Sequence, residues 1–149
     1  MARSTTLVAA TGVLTITAVA VANETVTIGA TVYTYKNPAA SAGEVSIGTT
    51  ATTSATNLAA AINGNALNAA HPLVTATSAA GVVTITSRVK GTLANHVPTT
   101  ETSTVASWGA AAMAGGTGVL ATALAGIVAL NQMNSEVIFE LDHVADQVA

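Results

Sequence analysis

The sequence predicts a mainly β domain, sandwich-like or barrel-like, with one helix packed on it and a C-terminal extension. Three observations carry this reading. Residues 12–90 hold a series of β-branched runs separated by Gly, Asn and Pro. One segment, residues 53–63, switches to helical spacing. Beyond residue 116 the composition becomes apolar and then acidic, which places a β-rich domain over residues 1–116 and an extension over residues 117–149.

The first element needs a decision. Arg3, Leu7-Val8-Ala9-Ala10 and Ala20-Val21-Ala22 together imitate a secretory signal peptide, but threonines interrupt the apolar run. Val13–Thr17 therefore reads as a strand. Thr25–Ile28 follows, alternating Val26 and Ile28 with threonine, which buries one face and wets the other. The short Gly29-Ala30 link to Thr31–Lys36 predicts a tight hairpin. Asn37-Pro38 ends that strand, and Glu44–Ile47 is a further short one. Thr53 or Ser54 is the expected N-cap of the helix, with Leu58, Ala61 and Ile62 on its apolar face and Asn63-Gly64 as its stop. A second hairpin joins Leu73–Thr77 to Val82–Ser87 through Ala79-Ala80-Gly81. Residues 91–118 read as a loop. Val26, Ile28, Val32, Leu58, Ile62, Val83 and Ile85 are the expected core.

A chain of 149 residues suits one domain of ordinary size. Half of it is hydrophobic, yet only 7% is charged, against roughly 25% in ordinary globular proteins. High hydrophobicity with low charge is the reverse of a disordered composition. The surface must then consist mainly of Thr, Ser, Asn and Ala, which lose their water at little cost when another subunit packs on them. The net charge is −3, and Arg3, Lys36, Arg88 and Lys90 form no basic stripe, which argues against a nucleic-acid partner. No apolar run reaches the ~18 residues of a membrane span. Cysteine is absent, so disulfides and thiolate metal sites are excluded.

Candidate chemistry is sparse. His71, His96 and His143 lie far apart in sequence and outside any metal-binding spacing. His71 precedes a proline in a turn, where a solvent-facing or capping role is expected. Asp142, His143 and Asp146 could bind a metal only with ligands from a neighbour. Gly115-Gly116-Thr117-Gly118 lacks the lysine of a phosphate loop and reads as a flexible junction. No Gly-x-Ser-x-Gly elbow occurs. Glu24 and Glu44 could be a carboxylate pair, but their turn-like positions suggest solvated side chains. Tyr33 and Tyr35, spaced two apart, share a strand face and are expected to pack across strands. With Trp108 they could alternatively offer a stacking surface for sugar. No enzyme, metal or cofactor is expected.

The ordered residues carry a resemblance. Asn23-Glu24-Thr25-Val26-Thr27-Ile28-Gly29 with Thr31–Lys36 resembles the opening of a module found in structural proteins of tailed bacteriophage particles. Val45–Gly48, Thr53–Asn63, His71–Thr77, Val82–Thr86, Gly91, Asn95 and Ala106–Gly109 to Gly116 continue it, over about residues 12–116. The resemblance implies a virion protein assembled in the host bacterial cytoplasm. Within that class a capsid decoration (cement) protein on the major capsid lattice is expected, forming a homo-oligomer such as a trimer. A tail-tube, neck or fibre component is the alternative, and a secreted carbohydrate-binding or adhesin module is the alternative from another class.

The resemblance does not extend past Gly116. There Val119, Leu120, Leu124 and Ile127 form an apolar stretch, and Phe139 and Leu141 sit among the acids Glu136, Glu140, Asp142 and Asp146. These six apolar residues are the expected subunit interface, because a small domain rarely exposes so much hydrophobic surface.

Overall fold

The computed structural model describes residues 6–118, which form two four-stranded sheets and one helix around a shared core. In chain order the elements are β1 (Ala9–Ile16), β2 (Thr25–Ile28), β3 (Thr31–Lys36), β4 (Glu44–Ser46), α1 (Ala51–Asn63), β5 (Val74–Ala79), β6 (Val82–Lys90), β7 (Thr99–Glu101) and β8 (Ala106–Trp108). The first sheet has the order β5-β6-β1-β8 and the second β4-β3-β2-β7. Both sheets are open, so the arrangement is sandwich-like rather than a closed barrel.

Both predicted hairpins form. Ile28 pairs with Thr31 across Gly29-Ala30, and Ala79 pairs with Val82 across Ala80-Gly81. In the second turn both central residues have positive φ, 48° and 83°, which matches the twist of the flanking strands. Alternation then sets the faces. On β1 the core takes Ala10, Leu14 and Ile16, and on β6 it takes Val83 and Ile85. On β3 the two inward positions belong to Tyr33 and Tyr35, as their spacing implied. The same parity turns Val32 outward, 46% exposed, which corrects its place in the expected core. The other six expected core residues are buried.

The helix begins earlier than its sequence suggests. Thr50 is the N-cap: its Oγ1 accepts from the Thr53 N–H at 3.1 Å, and the Thr53 hydroxyl accepts from the Thr50 N–H at 2.9 Å. Ser54, one of the expected caps, is instead inside the protein, where its hydroxyl accepts from the Ala20 and Gly48 N–H groups. Leu58 and Ile62 lie on the buried face of α1, which packs chiefly on β5. At the far end, the Asn63 side chain pairs with the edge of β5, donating to the Ala76 carbonyl at 2.7 Å and accepting its N–H at 2.8 Å.

The short β4 pairs parallel to β3, although the strands are joined only by residues 37–43, less than the usual crossover. Two side chains hold this connection. The Glu44 carboxylate accepts from the Ala40 and Ser41 N–H groups. The buried Asn68 amide accepts from the Gly43 N–H and donates to the Glu44 carbonyl. Residues 91–118, expected as loop, contain a 3₁₀ turn at Thr92–His96 and the strands β7 and β8, each of three residues.

Leu58→Ala and Ile28→Ala should each lower the free energy of unfolding by about 2–5 kcal/mol in denaturant titrations. Val32→Ala should cost less than about 0.5 kcal/mol, since it faces water. Asn63→Ala removes both partners of the buried Ala76 backbone and should cost about 1–3 kcal/mol, with no change in helix content by circular dichroism.

Candidate interaction surface

Among the described residues the candidates Glu24, Glu44 and His71 are occupied by the fold, while His96 lies exposed at the end of the 3₁₀ turn. Glu24 is buried, not solvated as its turn position suggested. Its carboxylate accepts from the Ser103 hydroxyl at 2.6 Å and from the Thr104 N–H and hydroxyl, both at 2.7 Å. Burial pushes this carboxyl up, but the bonds from Ser103 and Thr104 outweigh it and hold Glu24 below the ordinary carboxylate range. Glu44, on the surface, is held low by the Ala40 and Ser41 N–H groups. Each carboxylate therefore fastens its own loop, and the two do not act as a pair.

His71 is buried as well, which corrects the solvent-facing expectation, although it does cap its turn. Its Nδ1 accepts from the Leu73 N–H at 3.1 Å, leaving Nε2–H to donate to the Ile28 carbonyl at 3.2 Å. Burial lowers its pKa, with Arg88 adding to the effect against the opposing Ile28 bond. Tyr33 and Tyr35 are almost wholly enclosed and offer no stacking surface. The Tyr35 hydroxyl has no hydrogen-bond partner among the described residues, and burial raises its pKa strongly, with the Glu24 charge adding to the shift. Trp108 is largely buried and donates from Nε1 to the Thr100 carbonyl, tying β8 of the first sheet to β7 of the second. Among the described residues no three His, Cys, Asp or Glu side chains come together as a metal site. Asp142, His143 and Asp146 lie outside the described residues.

What the fold does assemble is a surface. On the outer face of the first sheet the register sets Thr75, Thr86 and Thr11 side by side. The next row is Thr77, Thr84 and Val13, and the one after it Ala79, Val82, Thr15 and Ser107. All ten positions are uncharged, and nine are threonine, serine or valine placed outward by strand alternation. The charged groups of the described residues lie on the second sheet or at the edge of this face. Lys36, Glu44 and Glu101 belong to the second sheet, with Glu24 just before its strand β2. Arg88 and Lys90 occupy only the last residues of β6. Sequence inspection foresaw an uncharged surface but not this face, whose signal was present in the alternation Thr75-Ala-Thr77 and Thr84-Ile-Thr86.

A second feature sits at the end of this sheet. Val8, Val89 and Leu93 are 46%, 53% and 71% exposed there. Beside them the chain reaches the end of the described residues in a fixed position. Val8 exchanges hydrogen bonds with Thr117, the Thr92 N–H donates to the Gly118 carbonyl, and the Asn95 amide both accepts from and donates to the backbone of Gly116. A Cβ on Gly116 would strike the Gly91 carbonyl and the Asn95 amide oxygen. The Gly115–Gly118 segment is thus packed onto the domain, contrary to the expected flexible junction. The six residues expected at a subunit interface, Val119, Leu120, Leu124, Ile127, Phe139 and Leu141, lie outside the described residues.

No family model, curated protein or solved structure matches the chain.

The depressed Glu24 pKa makes a signed prediction. The unfolded chain takes up this proton near the ordinary value of about 4.3, and the folded chain only at lower pH. The stabilisation is thus complete above that value and is lost as pH falls through the folded pKa. In urea titrations, Glu24→Gln should be less stable than the unsubstituted chain at pH 6. The gap should narrow steadily between about pH 4.5 and pH 3. A gap independent of pH would mean that Ser103 and Thr104 do not stabilise the ionised carboxylate.

Proposed function

We propose that this chain is a structural, non-enzymatic component of a bacteriophage particle: a capsid decoration protein lying on the head lattice and assembled in the host bacterial cytoplasm. The residues behind the resemblance support the reading by their order and placement. Asn23–Lys36 spans the β2–β3 hairpin, Thr53–Asn63 lies in α1, and Val74–Thr77 and Val82–Thr86 lie in the β5–β6 hairpin.

The uncharged outer face of the first sheet is the observation that carries the proposal. Its hydroxyls and methyls surrender water without stripping any charge, which suits permanent contact with a lattice. From strand and residue spacings the face amounts to roughly 400 Å². A stable interface takes about 800 Å² from each partner, so further surface must contribute. The apolar residues after Gly118, Val119 through Leu141, are the proposed remainder, joining copies of the chain into a small oligomer such as a trimer. The major capsid protein is the proposed partner of the sheet face.

Thr84→Glu places a charge at the centre of that face and should abolish co-sedimentation with heads lacking the chain, while its unfolding curve stays close to the original. Thr27→Glu, on the second sheet, should bind normally. Equal binding by Thr84→Glu and the unsubstituted chain would remove the sheet face from the interface. Imaging of particles labelled on this chain should place the label on the head; label confined to the tail would favour the tail-tube, neck or fibre role.

A further inference from the structure

We propose that the segment 119–149 of a second copy of this chain seats on the end of the first sheet formed by Val8, Val89 and Leu93, with its acids facing Arg88 and Lys90. The inference rests on the reading that copies associate through this segment, and it names the surface that receives it.

The acceptor is defined by hydrogen bonds. The Gly91 N–H donates to the Val8 carbonyl at 2.9 Å, which brings the start of β1 against the end of β6. Val89 and Leu93 are two residues either side of Gly91, so both lie within about 8 Å of it along the chain. Their exposure puts three large apolar side chains at one end of the sheet. Positive charge lies at the same end of the sheet, where Lys90 pairs with Ala9. Lys90 neighbours Val89, and the Arg88 guanidinium is held at the same end because its Nε donates to the His71 and Val74 carbonyls. These are two of the four basic residues in the whole chain.

The segment matches this surface in order and in sign. It is apolar from Val119 to Leu130, and it holds four of the seven acids of the chain and no basic residue. Its point of departure is adjacent, since the carbonyl of Gly118 accepts from the N–H of Thr92 at 3.1 Å. Donor and acceptor therefore lie side by side on every copy, and exchange around a common axis asks each segment to travel only a short way.

A second copy is a better occupant than the chain's own segment. That end of the sheet offers three large apolar side chains, whereas Val119–Leu130 alone brings six Val, Leu and Ile side chains. Folding back at its own exit, a segment would leave most of that surface uncovered. Segments exchanged among copies cover those side chains and one another.

The absence of cysteine makes a clean test possible. Val89→Cys and Leu141→Cys are made in separate chains, mixed, equilibrated and treated with a short bismaleimide, then separated on a denaturing gel. A covalent dimer linking the two variants should form in the mixture, and none should form with Val89→Cys alone. The double variant should give a ladder of multimers. A double variant that yields only internally linked monomer overturns the inference in favour of the chain's own segment. A stable oligomer without any cross-link overturns it too, while leaving the virion reading untouched. Lys90→Glu should weaken association several-fold by sedimentation, and salt should weaken association of the unsubstituted chain; no effect of either removes the charge pairing. Cross-linking retained in a chain that fails to bind heads would support the inference and count against the virion reading.

Discussion

The side-chain amide of Asn63 meets the backbone of Ala76 as a neighbouring strand would, with one bond given and one received. Asn68 spans the Gly43 N–H and the Glu44 carbonyl in the same way, and Asn95 does so at Gly116. These three contacts fix the end of the helix to the edge of β5, the parallel β4 to its loop, and the last described residues to the 3₁₀ turn. A neutral amide is suited to the task because it carries donor and acceptor on one plane and brings no charge that burial would penalise. In a chain so poor in ionic groups, amides and hydroxyls take over the fastening that ion pairs or longer strands often provide.

The same economy shapes the interior. Ser54 sits on the buried face of α1 and uses its hydroxyl to satisfy Ala20 and Gly48, so the helix entrance is bound to two loops. Glu24 is buried only because Ser103 and Thr104 supply three donors to its carboxylate, and that cluster secures the loop between β7 and β8. Tyr35 departs from the pattern, since its hydroxyl is enclosed without a partner among the described residues. Removing an unsatisfied hydroxyl from a packed site is nearly neutral or even stabilising, so the ring, not its oxygen, is what this position requires.

Much of the architecture was legible where a period and a stop coincide. Val26 and Ile28 alternating before Gly29-Ala30, and Leu58 and Ile62 before Asn63-Gly64, specify their elements locally. What escaped was set by partners distant in sequence. The choice of Thr50 over Thr53 or Ser54 as helix cap depends on Ser54 being drawn inward by Ala20 and Gly48. The three-residue strands β7 and β8 are too short to show alternation, and they exist because β2 and β1 present open edges to them. Val32 looked like core because it is β-branched, yet its parity was fixed by the larger Tyr33 and Tyr35. Glu24 and His71 looked solvated because turns usually are, and their donors and acceptors come from residues as distant as Ser103 and Ile28. The uncharged outer face of the first sheet was legible in principle, as alternating threonine on three strands. Its continuity required the register that joins Thr75, Thr86 and Thr11.

The distribution of charge follows from these choices and bears on assembly. The described residues contain three acids, Glu24, Glu44 and Glu101, and three bases, Lys36, Arg88 and Lys90, so residues 6–118 carry no formal net charge. Segment 119–149 holds four acids without a base, and Arg3 brings the whole chain to −3. A domain without net charge, with an uncharged face on its first sheet, exerts little long-range repulsion on another copy. The acidic segment carries the net charge of the chain, and net charge opposes indiscriminate association. In the proposed exchange those acids would meet Arg88 and Lys90 of another copy, and their repulsion would be offset within the same contact. On that proposal, placing the net charge in segment 119–149 would let free copies stay dispersed and associate closely once the segment is engaged.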